Sequence, residues 1–324
     1  MIFGAKSAAE LTLRSADYPK KTKNRRRKMK KDYFIGKNGR KTAFYVNEAG
    51  NTRAVFQMVH GMAEHIERYE DFAKYLADSG ITFVGADVRC HGENFDEKLG
   101  YAEGDTWNDS IADQRLLSDE IGKLFGGVKR IVCGHSYGSF LTQGLIERGI
   151  KADMFILMGS CFMKGADVNV GSFVADRYAA RDPKCVPEVI LNLTFGSYDK
   201  KFKGGSWLSR DENEVAKYDA DPLCGFSCSA NFYSNFFRGL KALHAKNSLD
   251  ALDKNVPIRI FSGDADPVGK FGKGVRKLYD YYKAQGVRDV SMKLYEGARH
   301  ELVNEINKAE VYADIAAAVG EILG

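Results

Sequence analysis

Several familiar features are missing from this chain, and each absence narrows what it can be. No run approaches the roughly eighteen apolar residues that a membrane-spanning helix needs. The first twenty residues lack the charged-then-apolar layout of a secretory signal, so a cytoplasmic protein is expected. Six cysteines are present, yet none forms a C-x-x-C pair and no two pairs have zinc-finger spacing. Cys90, Cys133, Cys161, Cys185, Cys224 and Cys228 therefore read as small hydrophobes in a reducing compartment, several of them inside apolar stretches. Among the histidines, His60, His65, His91 and His135 fall in loops near one another in the expected fold. No pair has the i, i+4 spacing of a metal-binding helix, and no carboxylate or cysteine is seen to complete a ligand set. Structural hydrogen bonding is expected of them, with no metal or organic cofactor, and His244 is read as incidental. No internal repeat is visible.

Charge is unevenly spread. The formal net charge is +5, but Lys20 to Lys31 (KKTKNRRRKMKK) holds nine basic residues in twelve, and the remainder is net acidic. Such a block reads as a flexible, solvated arm over residues 1–31. It could also attract an anionic lipid surface weakly, at about 1 kcal/mol per basic residue, which would make the protein peripheral at a membrane. Nucleic acid is not expected as a partner, because no aromatics interleave the run and no binding motif follows it.

Beyond the arm, short apolar strands alternate with amphipathic helices. YFIGKNGRKTAFYVNE reads as a hairpin through Asn38-Gly39. Strands are expected at 54–59, 81–86, 130–133, 154–158, 257–261 and 290–294. Helices are expected at 66–79, 107–125, 137–148, 271–285 and 308–323, the second with Ile111, Leu116, Leu117, Ile121 and Leu124 inward. This rhythm implies a mostly parallel central sheet flanked by helices, in one α/β domain over 32–324. It breaks between about 162 and 253, where helical patterns carry Phe173, Tyr178, Phe195, Trp207, Phe226, Phe232, Tyr233, Phe236 and Phe237. That segment reads as a helical cap over the functional end of the sheet.

The chemistry gathers at strand ends. Gly134-His-Ser136-Tyr-Gly138 is a G-x-S-x-G segment entered by a strand and left by a helix, the context in which such a serine becomes a nucleophile. A serine hydroxyl needs a base, and an imidazole needs an acid to orient it. His300, after the last strand, is the expected base. Asp266, in Ser262-Gly-Asp-Ala-Asp266, is the expected acid. Asp264 competes with it, and Asp266 is favoured by lying further into the loop. Backbone N–H groups of Tyr137 and Met62 are the expected oxyanion donors.

HGMAEH at 60–65, DVRCHGEN at 87–94, GHSYGS at 134–139, SGDADPVG at 262–269 and GARHELVNE at 297–305 together resemble the monoacylglycerol lipase and lysophospholipase-like α/β-hydrolases, grouped with the serine aminopeptidases S33. The cap segment 208–226 also resembles that of bacterial lysophospholipases. The resemblance implies the α/β-hydrolase fold over roughly 32–323, supports Asp266 as the triad acid, and supports Met62 as an oxyanion donor. It implies a serine hydrolase of carboxylic esters, with a single-chain lipid ester as substrate. A short-chain carboxylesterase and an S33-type aminopeptidase are alternatives, the latter requiring an acidic cluster such as Asp211, Glu212 and Glu214. A non-catalytic binding protein on the same fold is a third. The chain departs from the family's D-x-R-G-H-G-x-S in having Cys90 for Gly and Asn94 for Ser.

Overall fold

The structure, a computed structural model, describes residues 29–193, 195–202 and 205–324. The expected arm therefore lies mostly outside the described residues. Its last two lysines do not: β1 is Lys30–Ile35, and Met29 before it is buried. β2 (Lys41–Asn47) returns antiparallel to β1. Asn38 and Gly39 both adopt left-handed backbone (φ 63° and 75°), as this turn demands, although the connection is wider than a two-residue loop.

β3 (Ala54–Val59) and β4 (Ile81–Ala86) are joined by a short 3-10 turn and α1 (Glu70–Asp78). Then come α2 (Thr106–Leu124), β5 (Lys129–His135), α3 (Tyr137–Glu147) and β6 (Met154–Met158). The cap follows as α4 (Ala166–Arg181), α5 (Glu188–Leu193), α6 (Phe195–Asp199), α7 (Glu212–Ala220) and α8 (Ala230–Ala242). The sheet resumes with β7 (Ile258–Gly263), α9 (Lys273–Ala284), β8 (Val290–Tyr295) and α10 (Lys308–Leu323).

The eight strands form one sheet in the order β1-β2-β4-β3-β5-β6-β7-β8. All pairs from β4 to β8 are parallel. The inner strands AVFQMV and MFILM are buried along their whole length, as strands covered on both faces must be. One apolar layer contains Phe72, Leu76, Val311 and Ile315 from α1 and α10. The other contains Ile111, Leu141, Val275 and Leu278 from α2, α3 and α9, and runs on into the cap through Phe232 and Leu240 of α8. Leu116 departs from expectation: it points outward at 37% exposure, while Ile111, Leu117 and Ile121 carry the inward stripe.

This order brings the ends of β3, β5, β7 and β8 to one edge of the sheet beneath the cap. The loop after β4 contributes there too. Cys90, where the related pattern has Gly, adopts left-handed backbone (φ 75°) while fully buried. Asn94 closes the same loop by accepting from the Cys90 N–H through its carbonyl (2.7 Å) and donating its amide to Asp87 O (3.1 Å).

Candidate active site

Ser136 sits between β5 and α3 with φ 52° and ψ −120°, a backbone conformation few non-glycine residues hold. The turn survives because its flanking glycines lack side chains. A Cβ at Gly138 would collide with the carbonyls of Val59 and His60, and one at Gly134 with Gly138 O and the Thr142 hydroxyl. The Ser136 N–H is tied to Met158 O (3.0 Å), which anchors the elbow to β6. Tyr137 is the first residue of α3, so its N–H has no carbonyl one turn back within the helix.

His300 and Asp266 meet. Asp266 Oδ2 lies 2.9 Å from His300 Nδ1, with the two residues 0% and 2% exposed. The carboxylate is fixed by the Val268 N–H on Oδ1 (2.8 Å) and by the Ser262 hydroxyl near Oδ2 (3.4 Å). With Nδ1–H donating to Asp266, Nε2 carries the free lone pair. It is buried and has no hydrogen-bond partner among the described residues. Asp264 is occupied otherwise: its Oδ1 accepts the Gly297 N–H (2.7 Å) and ties the loops after β7 and β8 together.

Two cavities share the wall at Ser136, Met62 and Trp207. One, of about 470 Å³, is lined mainly by apolar side chains, among them Phe140, Val168, Val174, Tyr233, Phe236 and Phe237. The other, of about 410 Å³, holds His300, Asn192, Ser206, Tyr218, Asp219 and Ser227. Among the expected cap aromatics, Trp207, Tyr233, Phe236 and Phe237 line the first cavity, Phe226 and Phe232 pack on His91, and Phe173 is exposed on the outer surface.

Behind the site lies an ionic network that motif reading did not single out. Glu64 accepts from the Gly61 N–H (2.6 Å), the Tyr69 hydroxyl (2.8 Å) and Arg68 (2.7 Å). Arg68 also makes a two-pronged pair with Glu301 (2.7 Å each). His135 bridges Glu64 Oε1 (3.2 Å) and His300 O (3.2 Å). Two acceptors on one ring favour the doubly protonated form. Burial opposes that charge, but the hydrogen bond and charge of Glu64 prevail and His135 is held above its ordinary pKa. Burial likewise disfavours the Glu64 anion, yet His135 and Arg68 pull its carboxyl well below the usual range. The network fixes the loop carrying Met62 to the loop carrying His300. The i, i+4 spacing of Glu64 and Arg68, and Glu301 next to His300, were the available signals.

The remaining histidines have structural partners. His60 donates from Nδ1 to Gly61 O (2.8 Å) and accepts the Val88 N–H at Nε2 (2.9 Å). His91 Nδ1 lies 2.8 Å from Arg89 O, and its ring packs near Tyr137. At His65 the reading from sequence needs correction, because the cap folds Asp221 and Cys224 against it, residues more than 150 positions away. The His65 Nε2 already lies 2.9 Å from Asp221 Oδ2, and burial holds the Cys224 thiol protonated. The trio works as a clasp between cap and floor, alongside the Gly225 N–H and Tyr218 hydroxyl that both bond Ala63 O (2.9 and 3.0 Å). All six cysteines are unpaired.

A sheet of this order, with a strained serine after β5 and an Asp–His pair after β7 and β8, defines an α/β-hydrolase. The serine aminopeptidase S33 family matches residues 50–307, and the chain belongs to that family. It is 28% identical to human monoglyceride lipase over 267 residues, which is 81% of this chain and 80% of that protein. It is 26% identical to the monoacylglycerol lipase of Mycolicibacterium smegmatis over 270 residues, 82% of this chain and 87% of that one. A lipase solved in an open form superposes with a TM-score of 0.82 at 24% identity, covering 91% of this chain and 99% of its own. Among the described residues no helix is long and apolar enough to cross a membrane.

Proposed function

We propose that this protein is a serine hydrolase of carboxylic esters whose substrate is a monoacylglycerol or a similar single-chain lipid ester. The observation that carries this reading is the pair of cavities meeting at Ser136, one apolar and the other more polar, with a mixed lining. An acyl chain fits the first, lined by Phe236 and Phe237, and a small polar alcohol fits the second. The relatives named above as monoglyceride lipases support the same substrate class.

In the proposed reaction the Ser136 hydroxyl gives its proton to His300 Nε2 as Oγ attacks the ester carbonyl. The Met62 and Tyr137 N–H groups receive the oxyanion. His300 then protonates the departing alcohol, and the ester C–O bond breaks to leave an acyl-serine. Water, losing its proton to His300, attacks that acyl group, and the fatty acid leaves as the Ser136 hydroxyl is restored.

Two features favour a neutral alcohol over an anionic headgroup. The polar cavity is bordered by Glu64, Glu301 and Asp219, and among the described residues its lining includes no lysine or arginine. Arg68, just behind it, is already committed to Glu64 and Glu301. Of the three acidic residues an aminopeptidase would need, two are engaged elsewhere: Asp211 caps α7, and Glu214 pairs with Lys217 and Lys308, while Glu212 is exposed at the start of α7.

The test is a hydrolysis panel of 1-monooleoylglycerol, lysophosphatidylglycerol, p-nitrophenyl esters from C2 to C16, and an aminoacyl amide. Fastest turnover is expected on the monoacylglycerol and on esters of medium or long chain. An optimum at C2, or faster cleavage of the amide, overturns the reading.

A further inference from the structure

Where the cap meets the floor, three side chains of different chemistry converge behind the polar cavity. His65 ends the loop after β3, while Asp221 and Cys224 come from the turn that closes α7. An imidazole nitrogen, a carboxylate oxygen and the thiol sulfur all lie within 4.8 Å of one another, and His65 Nε2 is 2.9 Å from Asp221 Oδ2. Asp221-Pro-Leu-Cys224 is a single turn, closed by the Cys224 N–H on Asp221 O (3.0 Å) and by the Leu223 N–H on Asp221 Oδ1 (2.8 Å). The turn leaves Oδ2 to face the imidazole. It also sets carboxylate and thiol with two residues between them, a spacing by which zinc sites present a pair of ligands. Sequence neighbours of all three, Glu64, Asp219 and Gly225, line the polar cavity.

The donor set is one nitrogen, one oxygen and one sulfur. Ca²⁺ and Mg²⁺ take oxygen ligands, whereas Zn²⁺ accepts all three kinds. A tetrahedral zinc ion with bonds of about 2.0–2.3 Å holds its donors about 3.4–3.6 Å apart. The trio brackets that spacing: the nitrogen–oxygen pair is slightly too close, and the sulfur lies within 4.8 Å of both. The charges felt by the sulfur are three anions, Glu64, Asp221 and Glu301, against one cation, Arg68. A positive ion is favoured in such surroundings. Asp221 is partly exposed, so an ion can enter from its side and meet two buried donors behind it.

We propose that His65, Asp221 and Cys224 form a binding site for one Zn²⁺ or similar borderline-soft divalent cation, which clamps the cap onto the loop that carries Met62. On binding, the S–H bond of Cys224 breaks and its proton goes to solvent, because a coordinated thiol is a thiolate. The neutral imidazole moves its hydrogen from Nε2 to Nδ1 and turns the Nε2 lone pair to the ion. One proton is released per ion, and the carboxylate and thiolate neutralise the dication. Three protein ligands leave a fourth position to water. The ion takes over the contact that the His65–Asp221 hydrogen bond makes without it. It adds to the Gly225 N–H and Tyr218 hydroxyl bonds on Ala63 O (2.9 and 3.0 Å). No step of the proposed hydrolysis passes through the ion, so the site stands independently of that reading.

The experiment titrates the full chain, reduced and free of chelator, with Cd²⁺ and Co²⁺ as probes. One Cd²⁺ per chain is expected to bind with the ultraviolet absorption of a cadmium–thiolate bond. One Co²⁺ should bind with the visible bands of a four-coordinate site, and Zn²⁺ should displace both. Cys224→Ser should remove the thiolate absorption, whereas Cys185→Ser, outside the trio, should leave it unchanged. His65→Gln, whose amide can still donate to Asp221, keeps a clasp and loses the ligand. It should weaken binding by at least about 100-fold, more than the loss of an outer-shell partner costs. Amide hydrogen exchange at Gly225 should slow when the ion is bound. Absence of thiolate absorption at one equivalent, or its persistence in Cys224→Ser, overturns the site. So does unchanged affinity in His65→Gln, which would leave the trio a hydrogen-bonded clasp only. Unaltered exchange at Gly225 with the ion bound overturns the clamp. If Cys224→Ser does not fold, His65→Gln and Asp221→Asn decide by the same titration.

Discussion

The floor of the site and the cap above it hold their groups by different means. On the floor, Asp266 and His300 leave neighbouring parallel strands, lock to each other at 2.9 Å and are almost fully buried. The elbow between them is pinned by backbone bonds and by glycines that admit no side chain. The cap offers shape instead: α4 and α8 present Val168, Val174, Phe236 and Phe237 to the cavity, held by apolar packing and by a few polar clasps such as His65–Asp221. A floor built from directional bonds serves chemistry, which is lost when an atom moves by an ångström. Under the proposed function, a roof built from dispersion contacts suits selection among acyl chains, where each methylene counts for little.

The largest effects should come from the floor. Ser136→Ala is expected to remove labelling by a fluorophosphonate probe and to lower kcat by about 10⁶, without shifting the melting temperature; retained labelling would point to another serine. Next, Asp266→Asn should cost about 10⁴ in kcat through the wrong imidazole tautomer, whereas Asp264→Asn should cost less than about tenfold, because its carboxylate only ties two loops. Reversed magnitudes would exchange the roles of the two carboxylates and leave the mechanism standing.

A smaller effect compares one histidine from each region. Burial lowers His91, in the floor, to about 3. Burial, aided by the Lys164 charge, lowers His244, under the cap, to about 3. Both stay neutral in the fold while the unfolded chain takes up protons below about pH 6.5, so stability should fall as pH drops and be insensitive to these two groups above that value. Between pH 6.5 and 5 each should cost about 2 kcal/mol, read from urea unfolding. His244→Asn should flatten the slope by one proton; an unchanged slope would show that His244 does not contribute it.

The cap should yield the smallest effect and the most selective one. A side chain at Gly171 would run into the ring of Phe237, so Gly171→Val should push that ring toward the cavity. Hydrolysis of a C16 ester relative to C4 is expected to fall by about tenfold, with the C4 rate little changed. Equal losses on both esters would mean that this wall does not measure chain length.

The contrast also explains what could be read in advance. Floor residues sit in short local motifs, because a strand end, a tight turn and a helix start must follow one another in sequence. That context singles out Ser136, Asp266 and His300, Asp266 over Asp264 with support from the family resemblance, and the structure brings Asp266 and His300 together at 2.9 Å. The closing helix 308–323 was visible from its apolar spacing to the residue. The cap was visible only as a break in rhythm. Which aromatics face inward depends on how α4 crosses α8, and Phe173 and Phe237 look alike in one dimension. The pairing of His65 with Asp221 joins distant segments, so no local pattern announces it; of the hub at Arg68 only the i, i+4 spacing with Glu64 is local, and its bond to Glu301 is not. Leu116 shows the limit even within one helix: a leucine beside the inward stripe is not part of it.

The chain has only two tryptophans, and both stand at the site. Trp207 lies against the His300 ring at 4.9 Å, and Trp107 packs on Tyr137 and Phe236 at 6.1 and 6.2 Å. No other indole dilutes their emission. The protein therefore carries its own optical gauge, one lamp beside His300 and one behind the apolar cavity that the proposed function assigns to the acyl chain. If the proposed reaction holds, stopped-flow fluorescence of the unlabelled protein is expected to follow acylation and release as they happen.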